Sequence, residues 1–291
     1  MTTRGPRDAD WLQSGAYPLV YGLLMRIRIV DAFTDRAFGG NPAGVCVLEG
    51  DSFPDAVWMQ RVAAELNLSE TAFAHLRGGR DWALRWFTPR TEVNLCGHAT
   101  LATAHALGED GLAAGTIRFD TRSGILSAAI GGDGSITMDF PVFPVIPIDP
   151  LPGTAEALGV PILASYDTGA LADLLVEVAD EQTVRNLAPD LGAVARLATR
   201  GVIVTAPAAD PAAGYDFVSR FFGPAVGVPE DPVTGSAHSA LAPLWSARLG
   251  RDELVGLQAS ARSGLVRTAL RGDRVDLTGH AVTVLDGTLA A

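Results

Sequence analysis

The chain repeats itself. Arg122-Ser123-Gly124-Ile125-Leu126 recurs as Arg262-Ser263-Gly264-Leu265-Val266, and in both copies Gly-Asp follows, as Gly132-Asp133 and Gly272-Asp273, before another alternating run. Each copy reads as strand, turn, strand. Upstream stands a second matched pair, Cys96-Gly97-His98-Ala99-Thr100 and Thr234-Gly235-Ser236-Ala237-His238. Each opens a helical pattern, Leu101–Leu107 in the first and Ser239–Leu249 in the second. The spacing between copies is nearly constant, 122 against 262 and 97 against 235. Two ordered motifs at one spacing indicate duplication, and a duplicated unit predicts two pseudo-symmetric domains with their small-residue helix starts opposed across a cleft. Free N–H groups and the positive ends of two helix dipoles then favour an anion there, most simply a carboxylate.

The remaining pattern is α+β. Ile27–Ala32, Gly44–Leu48, Ile117–Phe119, Leu174–Val178 and Val202–Thr205 read as strands, with helices between some of them. Pro141, Pro144, Pro147, Pro150 and Pro152 interrupt any continuous element and read as the linker between halves. The expected domains are 25–141 and 142–275, with a C-terminal strand, about 276–291, able to rejoin the first. Residues 1–24 read as a disordered extension, with Met25 a candidate start.

Composition excludes several classes. A net charge of −11 with no basic run argues against nucleic acid or an anionic membrane as partner. All 22 basic residues are arginine, so there is no lysine for a Schiff base or a P-loop. Cys46 and Cys96 are too few for a disulfide framework and fit a reducing cytoplasm. No run approaches the ~20 apolar residues of a membrane helix, and Asp8 and Asp10 ahead of Tyr17–Leu24 do not suit a signal peptide. His75, His98, His105, His238 and His280 show no metal-ligand spacing, and Gly131-Gly132-Asp133-Gly134 sits in a hairpin pattern rather than a dinucleotide fingerprint. No metal and no cofactor is expected.

Four side chains could carry chemistry. If Leu68–Leu76 is a strand, Glu70 is the only charge on the face it shares with Leu68, Ala72, Ala74 and Leu76, where desolvation would raise its pKa towards neutrality. The bland alternative is a carboxylate at a strand end, reaching solvent. His98 opens a helical pattern whose dipole favours a neutral imidazole, although a packing histidine explains the same position. Asp231, before Pro232, reads either as a site acid or as a solvated loop acid. Gly235 and Ser236 offer an amide and a hydroxyl to a carboxylate, or form a plain helix cap. Ser236 does not complete Gly-x-Ser-x-Gly and is not a hydrolase nucleophile.

These motifs together resemble one family. Asp31-Ala32-Phe33, Gly40-Asn41-Pro42-Ala43, Leu68-Ser69-Glu70-Thr71, Cys96-Gly97-His98-Ala99-Thr100 and Glu230-Asp231-Pro232-Val233-Thr234-Gly235-Ser236-Ala237 occur in the order seen in PhzF-like phenazine-biosynthesis proteins. The resemblance runs from about residue 26 to the C-terminus. It implies a diaminopimelate-epimerase-like fold, in which two similar domains each roll a mixed sheet around a central helix. It also implies a homodimer and a cofactor-independent isomerase whose substrate is a small carboxylate. Carried over by motif, Glu70 becomes the general acid/base, assisted by His98 and Asp231, with Ser69, Gly97, Gly235 and Ser236 binding substrate. The thiol-using relatives place a cysteine on each side of the substrate carbon. Here Cys96 resembles the first, while Val233 stands at the second, so a symmetric two-thiol mechanism is not expected. The rival readings are an epimerase or racemase with Cys96 as second base, and a non-catalytic binding protein that kept the cleft.

Overall fold

The computed structural model describes residues 24–79 and 81–290. The expected extension, 1–24, therefore lies outside the described residues except for Leu24, which opens the first strand.

The first half runs β1 (Leu24–Ala32), β2 (Asn41–Val47), α1 (Ala56–Leu66), β3 (Glu70–Gly78), β4 (Asp81–Phe87), β5 (Glu92–Val93), α2 (Gly97–Glu109), β6 (Thr116–Thr121), β7 (Gly124–Ile130) and β8 (Ile136–Pro141). The second runs β9 (Ile146–Ile148), α3 (Thr154–Leu158), β10 (Ala164–Asp167), β11 (Asp173–Glu177), α4 (Glu181–Arg185), α5 (Leu191–Val194), β12 (Gly201–Pro207), β13 (Phe217–Gly223), β14 (Val228–Asp231), α6 (Gly235–Leu249), β15 (Glu253–Gln258), β16 (Gly264–Arg271) and β17 (Arg274–Gly279). A last strand, β18 (Ala281–Ala290), returns to lie antiparallel on β1.

The two halves pair their strands by one scheme. In the first, β1–β2 is antiparallel, β2–β3 parallel, β3–β4 antiparallel, β4–β6 parallel, and β6–β7–β8 an antiparallel meander. The second repeats this with β10–β11, β11–β12, β12–β13, β13–β15 and β15–β16–β17. The two ribbons join where β8 pairs antiparallel with β17. Pro147 is accommodated in β9, a three-residue strand that pairs on one side only, with β10, where a missing N–H costs least.

Side chains repeat as well. Arg85 grips Glu92 through two bonds of 2.7 Å and lies 5.2 Å over the Phe87 ring. Arg220 grips Glu230 at 2.7 and 2.9 Å and lies 4.9 Å over Phe222. In each half this fork–fork pair ties a short strand, β5 or β14, to its neighbour in the sheet.

Each half wraps a central helix. α2 buries Ala99, Leu101, Ala102, Ala104, Ala106 and Leu107, and α6 buries Ala237, Ala240, Leu241, Ala242, Leu244 and Trp245. A helix of small and apolar residues on every side is one enclosed all round. The first core also takes Val233, Ala242, Val266, Val275 and Leu277 from the second half, so the apolar interior is continuous across the seam. No helix among the described residues is long and apolar enough to cross a membrane.

The strand that carries Glu70 departs from the expected one-sided pattern. Ala72 and Ala74 face the core around α2, but Thr71, Phe73 and His75 on the opposite face are buried too, because α1 covers them with Met59, Val62 and Ala63. Leu76, assigned to the apolar face, is 43% exposed. Alternation reports burial only when one face meets water, and here a helix covers each face.

Candidate active site

Glu70 is the first residue of β3 and pairs in register with Ala43 of the parallel β2. The turn before it is made by Asn67, which ends α1 in the left-handed region at φ 49°. This connection delivers the carboxyl group onto the α2 side of the sheet, where only 17% of the side chain remains accessible. Burial, with Asp231 acting in the same sense, pushes its pKa up to about 8, against a small lowering by the Cys96 thiol.

His98 is the second residue of α2, and its Nε2 stands 3.2 Å from a Glu70 carboxylate oxygen. Burial drives its pKa down to about 3, so the ring is neutral at physiological pH. Its tautomer follows from Asn41. The Asn41 amide nitrogen faces the Asp231 carboxylate at 2.8 Å and the Val233 carbonyl at 2.9 Å, both pure acceptors, which fixes that atom as Nδ2. The same nitrogen lies 3.2 Å from His98 Nδ1, and because an amide NH2 cannot accept from the ring, this contact favours the tautomer with the lone pair on Nδ1. In that tautomer Nε2 carries the proton, and it lies 3.2 Å from the Glu70 carboxyl group.

Asp231 ends β14 from the opposite half. It accepts from Thr234 Oγ1 at 2.5 Å and from Asn41, and burial raises its pKa to about 6 despite both bonds. Gln258 braces this turn, donating to the Asp231 carbonyl at 2.7 Å and accepting from the Thr234 amide at 2.8 Å. Glu70, His98 and Asp231, remote in sequence, are therefore linked through Asn41. Asn41 received no role from sequence, where the strand was read from Gly44 and the Gly40-Asn41-Pro42-Ala43 motif was the one available signal; the structure starts β2 at Asn41.

The helix starts carry a second message. At α1, α4 and α5 an aspartate caps the first turn, with Asp55, Asp180 and Asp190 accepting from backbone amides. At α2 and α6 the capping positions are Cys96 and Thr234, and neither side chain caps. The Thr234 hydroxyl is committed to Asp231 instead. These two starts meet: a Cβ built on Gly97 would lie 3.9 Å from the Gly235 Cα and 3.4 Å from the Phe140 ring. Gly97, Gly235 and Ser236 thus converge, with Ser236 partly exposed; Ser69 stands half-buried beside Glu70.

Among the described residues, Glu70, Cys96 and His98 bring ligand-type atoms within 4.8 Å of one another, a cluster that sequence spacing did not disclose. Its chemistry suits protons better than a cation. A metal on His98 Nε2 would force the proton onto Nδ1, against the Asn41 amide, and Cys96 would have to ionise although burial and Glu70 push its thiol pKa well up.

Comparison with known proteins gives this arrangement its context. The family model described as phenazine biosynthesis-like protein matches residues 30–287. The chain belongs to the phenazine biosynthesis-like family. Its relatives include an uncharacterized isomerase of Pseudomonas aeruginosa, 49% identical over 264 residues, covering 89% of this chain and 96% of that one. A PhzF-family phenazine biosynthesis protein of Enterococcus faecalis has a crystal structure similar at TM-score 0.86 and 39% identity, over 92% of this chain and 100% of that one. The fold extends to a hydroxyproline epimerase from Agrobacterium vitis, at TM-score 0.57 and 13% identity over 93% and 94% of the two chains. This member of the phenazine biosynthesis-like family is an isomerase with an epimerase-like fold.

Proposed function

We propose that this isomerase moves a proton between two carbons of a small carboxylate-bearing substrate, with Glu70 as the single acid/base and no cofactor. The observation that carries the reading is a carboxyl group raised to about 8, with His98 Nε2 3.2 Å from it, beside two uncapped helix starts. The substrate carboxylate caps Gly97, Gly235 and Ser236. Ionised Glu70 takes a proton from a carbon conjugated with that carboxylate, and the developing charge spreads onto oxygens already held by amide N–H groups. His98 and Asp231 hold the polar substituents, and Glu70 returns the proton to a second carbon on the same face. The free thiols Cys46 and Cys96 suit a reducing cytoplasm. A homodimer accompanies the reading and is measurable by light scattering.

The rival two-base epimerase needs an acid and a base on opposite sides of one carbon. Cys96 instead clusters with Glu70 in the same half, and its counterpart at the start of α6 is Thr234, which carries no thiol and whose hydroxyl is committed to Asp231. The decisive experiment follows a substrate deuterated at the donor carbon. A one-base shuttle carries label to the acceptor carbon, whereas a two-base epimerase releases it to water. Glu70→Gln should fold and bind but not turn over, and rearrangement surviving in that variant would falsify the assignment.

A further inference from the structure

Arg200, which no family motif singled out, immediately precedes β12 and reaches the foot of α6. Its Nε donates to the Leu171 carbonyl at 3.2 Å, and its Nη2 reaches Asp173 at 2.5 Å and Ser236 Oγ at 3.5 Å. The guanidinium lies 5.5 Å over the Phe221 ring. That stacking depends on the next residue, because a Cβ on Gly201 would come within 2.4 Å of the same ring. Nη1 has no hydrogen-bond partner among the described residues, and 36% of the side chain is open. The charge is also felt at Asp231, whose pKa it lowers.

Asp173, by contrast, is fully buried, and its Oδ1 has no partner among the described residues. Such a pair is a poor stabilising device, since desolvating the carboxylate offsets most of the attraction. It does hold a guanidinium rigidly, aimed at the α6 start, where the substrate acid would dock.

Resting on the function proposed above, we propose that Arg200 is a further substrate-binding residue, pairing with the carboxylate capped by α6, and that Asp173 is its positioning residue. The site then selects acids over otherwise identical neutral compounds through one oriented cation as well as backbone amides.

The test is calorimetric titration with 3-hydroxyanthranilate and with 2-aminophenol, the same ring without the carboxylate. Wild-type protein and Glu70→Gln should both prefer the acid. Because Arg200→Met alone strands Asp173, the variant to use is Arg200→Met with Asp173→Asn. It should weaken the acid by about 10- to 100-fold and leave the neutral ring unchanged. Arg200→Lys, which keeps charge and fold but loses the planar fork, should fall between. Equal weakening of both probes, or unchanged affinity for the acid, overturns the role of Arg200 while leaving Glu70 in place. Wild-type protein with no preference for the acid, absent binding included, overturns both proposals.

Discussion

The two halves share a strand scheme and an arginine–glutamate clasp, yet equivalent positions hold opposite chemistry. Where β3 opens with Glu70, β12 opens with Gly201, and the residues before them are Ser69 and Arg200. The ladder partner of Glu70 is Ala43, whereas that of Gly201 is Asp173. The first half places a protonatable group in an apolar setting, and the second places fixed charge and hydroxyls around an anion site. A carboxyl raised by desolvation and a guanidinium held by a carboxylate need different surroundings. Duplication provides two matching frames in which each can be kept.

The largest effect expected from breaking this division is at Glu70. Glu70→Gln should reduce turnover by about 10³-fold or more, with ligand binding retained. Next comes the link between the halves: Asn41→Leu frees His98 to change tautomer and should cost about 10- to 100-fold in kcat, and nitrogen NMR of the ring should show the proton redistributed.

Titration sharpens the contrast. If ionised Glu70 begins the reaction, kcat/KM should rise with pH through an apparent pKa near 8. Asp231→Asn removes a like charge and should shift that limb to lower pH. Stability carries the opposite sign. A carboxyl raised in the folded state is favourable while protonated, so its contribution declines as pH rises from the ordinary glutamate range through about 8. Glu70→Gln should therefore melt above wild type at pH 9, the gap closing by pH 4.5, as scanning calorimetry would show.

The smallest effect belongs to Cys96. Cys96→Ala removes the bond that lowers the Glu70 pKa and should raise the kinetic pKa slightly, with activity within about tenfold of wild type. Complete loss would instead make the thiol a second base.

Much of the architecture was legible because Arg-Ser-Gly and the two glycine helix starts kept their spacing. The clasps were not, because seven residues separate Arg85 from Glu92 but ten separate Arg220 from Glu230. A loop of different length destroys a fixed offset while leaving the geometry intact. Glu70 stood out as a charge in an apolar strand. Asn41 could not, since its role is to face three acceptors contributed by distant segments. Arg200 and Asp173 meet only through the parallel β11–β12 pairing, which no local pattern announces.

The closure of β1 by β18 has a consequence for the newborn chain. The strand that begins at Leu24 has one neighbour in β2, made soon after it, and another in β18, so on the ribosome its second edge stays open until residues 281–290 have emerged. The half translated first is thus the half completed last, and a product stopped short of residue 281 would leave the β1 edge ready to recruit a foreign strand.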